Sequence, residues 1–439
     1  MNTLTANVTP GQRNRALWSS TFAFTVCFAV WTIFSIIGIQ IKKDLGLNDT
    51  QFGLLAATPI LTGSLVRLFL GVWTEQFGGR VVFSLVMLCG ALATWMLTYA
   101  HTYVQFLLAA LAVGVAGGSF AVGVAYVSKW FPQEKQGTAL GIFGAGNVGA
   151  AVTKLLAPMV MVAYGWQGVA RFWAAGLALT AIFYFVFAKD DPGLTRRKAE
   201  GVKPVPFAVQ MRPLRNIQVW RFSLYYFFVF GAFVALALWL PSYLIGAYGL
   251  NVKTAGTIAA FYSIPASLFR IVGGWLSDKI GARRVMYWTL GVSAACTFLL
   301  SYPPTRYIVD GAQGPIEFRL AMGVVPFTIL VFILGFFMSL GKAAVYKHIP
   351  AYYPDNVGSV GGVVGMIGGF GGFLLPIMFG AINDAIGIWS SCFMLLFVLV
   401  SASLAWMHFA IRRMDLARHP HIARDTDLPE IMQAARKTP

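Results

Sequence analysis

The sequence predicts an all-α membrane protein: twelve transmembrane helices arranged as two pseudo-symmetric six-helix halves. Three observations predict it. Of 439 residues, 58% are hydrophobic and 11% charged, with a mean hydropathy of +0.70, whereas a soluble domain carries about 25% charged residues. Apolar runs of about 20 residues, each long enough to cross a bilayer, recur along the whole chain. The stretch Ser64–Arg80, S-L-V-R-L-F-L-G-V-W-T-E-Q-F-G-G-R, also returns without a gap 203 residues later as Ser267–Arg283, S-L-F-R-I-V-G-G-W-L-S-D-K-I-G-A-R.

In chain order, the apolar runs place spans at 16–40, 52–74, 81–100, 104–127, 138–163, 170–188, 220–246, 254–276, 284–303, 319–341, 357–380 and 385–411. The first 15 residues are polar and the run after them is long enough to span, so no cleavable signal peptide is expected. Most connections are short. The exception, 189–219, is polar, basic and Pro-containing, and reads as a linker between an N-terminal half (1–188) and a C-terminal half (220–411), with a polar tail at 412–439. The outer connection 304–318 is longer than its neighbours and shows no chemistry.

Charge sets the orientation. With both termini cytoplasmic, the inner segments hold 23 of the 33 Lys and Arg and the outer loops hold 6, as the positive-inside tendency requires. The basic residues behind the net charge of +17 cluster in loops and a tail on one side, which argues for a lipid bilayer and against nucleic acid as partner. Four basic residues remain inside spans: Arg67, Lys154, Arg270 and Lys342. All 16 acids fall outside the span centres. A cation at the centre of a span costs about 2.5–3.5 kcal/mol on insertion scales, so four without a buried acid call for an anion from outside the protein. Lys342 sits near a span end and is expected to snorkel to the inner surface. His348 is expected at the interface in a loop.

The fifth span opens G-I-F-G-A-G-N-V-G and the eleventh carries G-G-V-V-G-M-I-G-G-F-G-G. In a membrane such glycine density lets helix backbones approach, as in the spacing Gly361, Gly365, Gly369. Packing does not require Asn147 in the fifth span; a buried amide is able to donate to an oxyanion. Cys27, Cys89, Cys296 and Cys392 each fall within an apolar span, without metal or redox spacing, and read as packing residues. With no intramembrane His/Asp/Ser arrangement, neither an enzyme, a metal nor a cofactor is expected. A channel is disfavoured by the two-fold repeat, and an anion sensor by the short tails.

The repeated turn, Gly71, Glu75, Gly78, Arg80 and Gly274, Asp278, Gly281, Arg283, resembles the signature loop of the major facilitator superfamily, whose charges take part in gating. Glycine-rich spans 5 and 11, with one arginine in each of spans 2 and 8, resemble the nitrate/nitrite porter family of that superfamily over nearly the entire chain. The resemblance implies the major facilitator fold, a monomer in the bacterial inner membrane, and a nitrate or nitrite ion held between the halves by Arg67 and Arg270. It also implies a site lined by Asn147, Tyr226, Phe230 and Phe120. Lys154 and Lys342 resemble the branch that couples nitrate uptake to protons, with a lysine loading a proton beside the anion. Exchange of nitrate for nitrite, or transport of another small anion such as a short carboxylate, are the alternatives.

Overall fold

The computed structural model describes residues 9–131, 133–190, 215–352 and 357–418. The first helical pass joins α1 (Pro10–Trp31) to α2 (Phe34–Leu45); α3 (Asp49–Phe77) and α4 (Gly79–Met96) follow. The fourth joins α5 (Tyr103–Val113) to α6 (Ser119–Ser128). The fifth joins α7 (Gln133–Gly144) to the first part of α8 (Gly149–Phe187), and the sixth is the remainder of α8. The seventh joins α9 (Ile217–Tyr226) to α10 (Phe233–Tyr248) through a π-helical turn at Phe227–Ala232. Then come α11 (Val252–Leu268) with α12 (Arg270–Ile280), α13 (Ala282–Leu300), α14 (Val324–Tyr352), α15 (Val357–Ile386) and α16 (Ser391–Arg418).

Among the described residues, nine helices are long and apolar enough to cross a membrane. One of them, Thr138–Phe187, is too long for a single crossing. It turns back at Gly165 (φ 69°, ψ 177°), and the Trp173 indole N–H donates to Thr153 Oγ1 at 3.0 Å across the reversal. A straight helix would hold those residues about 30 Å apart. Adding this return and the helices α3 and α13 gives the twelve passes expected. Loop-to-helix entries are fixed by capping side chains: Asn48 with Gln51 on α3 and Thr102 with Gln105 on α5 exchange the reciprocal bonds of a capping box.

The sequence repeat is a structural repeat. Ser64 donates to Ile60 O at 2.7 Å and Ser267 to Ser263 O at 2.8 Å. Thr74 donates to Leu70 O at 2.6 Å and Ser277 to Gly273 O at 2.7 Å. The turns that follow share one backbone conformation, Gly78 at φ 88°, ψ 145° and Gly281 at φ 90°, ψ 137°, which only glycine adopts without strain. The copies differ in one respect: α3 runs unbroken through Arg67, whereas the second copy breaks at Phe269 (ψ 3°), just before Arg270.

The two copies sit in a bundle whose glycine-rich helix α15 lies along α3. A Cβ at Gly369 would collide with the Ser64 hydroxyl. At the end of this contact remote from Gly78, Asp384 caps α3, accepting from Asp49 N at 3.0 Å and Thr50 N at 2.7 Å. The Asn383 amide donates to Asp49 Oδ2 at 2.6 Å, and Lys42 pairs with the same carboxylate.

Several expectations are corrected. The long connection is a β-hairpin, β1 (Thr305–Gly311) against β2 (Gly314–Leu320), with Tyr307 stacked on Phe318 at 5.3 Å and Arg306 paired with Glu317. The tenth pass therefore begins at Val324 rather than at 319. Cys27, Cys296 and Cys392 are buried, but Cys89 is exposed on the helix surface. The linker 189–219 is described only at its ends, and 419–439 lie outside the described residues.

Gly281→Ala should lower stability by about 1–3 kcal/mol, because a Cβ strains that backbone. Gly176→Ala, at a helical site where a Cβ meets nothing within 4 Å, should leave it unchanged or raise it slightly. Thermal unfolding of the detergent-purified variants checks the contrast.

Candidate functional site

Arg67 lies midway along a helix lined by apolar neighbours and is 7% exposed. Its Nε donates to Gly117 O and its Nη1 to Gly365 O, both at 3.3 Å. Both acceptors are glycine carbonyls, one in the 3₁₀ stretch between α5 and α6, the other in α15. The guanidinium carbon sits 5.4 Å from the Trp31 ring, 5.5 Å from Phe120 and 5.6 Å from Phe230. Bonds from a charged group to carbonyls contribute about 1.5–3 kcal/mol each and cation–π contacts about 0.5–2 kcal/mol, together enough to offset the cost of burying the charge.

Arg270 is 5% exposed and held differently. Its guanidinium carbon lies 5.7 Å from Phe120 and 5.6 Å from Tyr346. Its Nη1 is buried without a hydrogen-bond partner. Gly144, at the end of α7, backs the guanidinium so closely that a Cβ there would stand 2.9 Å from Nη1.

The two arginines are joined through one ring. Phe120 touches both guanidinium groups, which puts their carbons within about 11 Å of each other. The other way round, Phe230 stacks on Tyr226 at 5.1 Å (8°), and Tyr226 meets Tyr346 edge-on at 5.0 Å. Arg67, Phe120, Arg270, Tyr346, Tyr226 and Phe230 thus form a closed circuit, drawn from α3, α6, α12, α14, α9 and the π-helical turn. That turn is where a helix departs from its regular ladder to re-aim a side chain. One turn from Gly144, Asn147 is fully buried with neither end of its amide bonded. Glycines 365 and 368 of α15 make room: a Cβ at Gly365 would meet the Tyr346 hydroxyl at 2.8 Å. Tyr346 in turn donates to Gly361 O at 3.1 Å.

Among the described residues no carboxylate pairs with Arg67 or Arg270. The arrangement offers two buried guanidinium groups, a free N–H, a free amide and flat aromatic walls. Its chemistry suits a small, flat, monovalent anion with several oxygen acceptors.

Of the six residues singled out for binding from the sequence, Arg67, Arg270, Phe120, Tyr226 and Phe230 belong to this circuit, and Asn147 lies one turn from Gly144, which backs Arg270. Tyr346 and Trp31 were not singled out; an aromatic residue in an apolar span carries no signal that separates it from packing. Lys154 is fully buried and donates to Ala150 O at 3.0 Å. Lys342 does not snorkel: it is 0% exposed and its ammonium donates to Ala266 O at 2.5 Å. His348 is no loop residue either; it sits in α14, 7% exposed and stacked on Phe222 at 5.5 Å. Of the residues expected in gating, Asp278 pairs with Lys347 at 2.5 Å, and Arg80 donates to Phe185 O at 2.8 Å. Gly71 and Gly274 face open space, and the Glu75 side chain lies outside the described residues.

The family model of the Major Facilitator Superfamily matches residues 20–310 and 253–435. The probable nitrate/nitrite antiporter NarK1 of Thermus thermophilus is 43% identical over 95% of this chain and 96% of its own. The nitrite extrusion protein of Bacillus subtilis is 30% identical over 88% of this chain and 92% of its own. The probable nitrate transporter NarT of Staphylococcus haemolyticus is 31% identical over 86% and 91%. Among solved structures, an inward-facing bacterial homologue of the human lysosomal transporter Spinster matches with a TM-score of 0.70. It covers 92% of this chain and 97% of that one at 15% identity, a likeness of fold.

Gly144→Ala tests the geometry of the site. Gly144 has ordinary helical dihedrals, so alanine fits the backbone, and the nearest atoms the added methyl meets all belong to the Arg270 guanidinium. Binding of a small oxyanion by the purified protein should weaken about tenfold or more, while the unfolding temperature stays within about 2 °C of the parent.

Proposed function

The chain belongs to the nitrate/nitrite porter family of the Major Facilitator Superfamily, and from that membership we propose that it is a secondary transporter carrying nitrate across the bacterial cytoplasmic membrane. Nitrite is the second substrate. The observation that carries the reading is the pair of buried guanidinium groups, joined by Phe120 and without a protein carboxylate among the described residues.

Arg67 and Arg270 each present a planar fork of N–H donors to the oxygens of the flat ion. The unbonded Arg270 Nη1 and Asn147 amide supply donors that no protein group uses. The flat faces of Phe120, Phe230 and Tyr226 suit a planar ion and disfavour a tetrahedral one by shape. The anion reduces the repulsion between the arginines and lets the halves close on it. The distribution of Lys and Arg supports an orientation with both termini in the cytoplasm; in it the Gly78 and Gly281 turns lie inside and the Asp384 cap of α3 outside. Alternating access then requires that cap to open when the site faces outward.

Transport is coupled to protons, with Lys154 as the residue that takes up a proton together with the anion. Its support is position: Lys154 is fully buried in the glycine-rich fifth pass, seven residues from Asn147, with its ammonium on a carbonyl of its own helix. The 43% identical relative named as an antiporter supports the second reading, exchange of nitrate for nitrite.

Nitrate uptake into proteoliposomes separates the two. Symport predicts uptake with an inward proton gradient and no internal nitrite, lost when the gradient is dissipated and lost in Lys154→Met. Uptake that needs internal nitrite and ignores the gradient establishes exchange instead. Inhibition of uptake by formate or acetate at levels similar to nitrate would move a short carboxylate to first place. In either regime Arg67→Lys and Arg270→Lys should each reduce uptake about a hundredfold or more, with normal membrane insertion, since a lysine offers a point charge and no fork. Near-normal uptake by either variant overturns the two-arginine site.

A further inference from the structure

The two arginines are held by different means, and the difference points to a third residue. Arg67 is fixed by its own bonds, to Gly117 O and Gly365 O, on an unbroken helix. Arg270 has a free Nη1 and is the first residue of α12, directly after the break at Phe269. The direction of its side chain therefore depends on the backbone that launches it.

That backbone is weak at this point. Pro265 stands where the first copy has Thr62, and the helical ladder is interrupted four residues later, at Phe269. Main-chain bonds bracket the break, Phe269 N to Pro265 O at 3.3 Å and Gly273 N to Phe269 O at 2.9 Å. The intervening carbonyl of Ala266 is met by a side chain from another helix, the ammonium of Lys342 at 2.5 Å. A carbonyl in the last turn of a helix needs such a donor when no water reaches it.

The position of Lys342 is itself fixed. Its ammonium lies 3.5 Å from the centre of the Phe233 ring, which leans on Phe230 at 6.4 Å and on Tyr262 at 5.9 Å. The helix α14 that carries it touches the broken helix on both sides of the break. A Cβ at Gly335 would stand 2.6 Å from Tyr262 O, and one at Gly273 would stand 2.6 Å from Leu340 Cα.

We infer that Lys342 is a positioning residue: by donating to the Ala266 carbonyl it sets the break in the eighth pass and thereby aims Arg270 at the substrate anion. It acts as a fixed donor and not as the carrier of the coupled proton, because leaving the carbonyl would strand a buried acceptor. The inference rests on the nitrate-transport reading above.

Two substitutions separate these roles. Lys342→Met keeps the bulk and removes the donor; Lys342→Gln keeps an N–H donor and removes the titratable charge. Each is reconstituted beside the parent protein, and nitrate/nitrate exchange without a proton gradient is measured as KM and maximal rate. Positioning predicts that Met raises the KM for nitrate about tenfold or more, and that Gln restores it to within about threefold of the parent. Unchanged exchange by Met overturns the inference. So does loss of gradient-driven accumulation in both variants with exchange intact, the pattern of a proton carrier. Equal loss of exchange in both overturns it as well, since charge and not donation would then be the requirement. Absence of nitrate exchange by the parent itself would instead sink the transport reading, which keeps the two failures distinct.

Discussion

The structure turns on two positive charges buried in a membrane bundle with no carboxylate to pair with them among its described residues. Even at the largest separation the shared ring allows, about 11 Å, two unit charges repel by about 1.5 kcal/mol at an effective dielectric constant of 20. An anion midway between them is attracted by about 3 kcal/mol to each. The comparison decides the chemistry: the empty arrangement is tolerable, and the filled one is strongly favoured. A buried acid near either arginine would have satisfied it and removed the attraction for a ligand. The acids instead sit at helix ends, as Asp49, Asp278 and Asp384 do, where they do structural work without entering the field of the site.

Much of the remaining design serves to hold guanidinium groups still without neutralising them. Carbonyls and aromatic faces attract a cation yet leave its charge available to an anion, whereas a carboxylate would not. Carbonyls come within reach only where a neighbouring backbone is close, which explains the glycines. Gly117 and Gly365 supply the acceptors for Arg67, and Gly144 yields the space behind Arg270. A helix built of such residues forms poorly in water; between packed neighbours in a bilayer it is held by its contacts.

What could be read from the sequence follows from the same physics. An arginine in an apolar run, repeated at a fixed offset, is conspicuous because its cost is large, so Arg67 and Arg270 could be found from the residues alone. Phe120, Tyr226 and Phe230 came only through family resemblance, and Tyr346 escaped, since an aromatic side chain is at home anywhere in a span. The hairpin at 305–320 carries a signal in two runs rich in Tyr, Ile, Val and Phe flanking D-G-A-Q-G, a strand pattern that its reading as a long outer connection does not use. The Asp384 cap on α3 joins residues 334 and 335 positions apart, a pairing no local pattern encodes. The burial of Lys342 was hidden for a similar reason: its partner carbonyl exists because a helix breaks 76 residues earlier.

The departures from symmetry bear on mechanism more than the symmetry does. Two identical halves would hold the anion equally, and neither would have reason to release first. Here Arg67 is anchored to both halves, through Gly117 in one and Gly365 in the other, while Arg270 is anchored to neither by its own free nitrogen. The α3–α15 contact that carries Gly365 also ends in the Asp384 cap, so on the transport reading a movement that opens the cap would draw the Gly365 carbonyl away from Arg67. Losing that carbonyl leaves Arg67 with an unused donor at the moment the site is uncovered on that side. On the proposed orientation this is the outer face, where the anion is to be captured, and a freed guanidinium donor raises affinity there. Closing the cap returns the carbonyl to Arg67 in competition with the anion, which favours release to the other side. The ion would thus be handed from the more firmly held arginine toward the more loosely held one as the cycle proceeds.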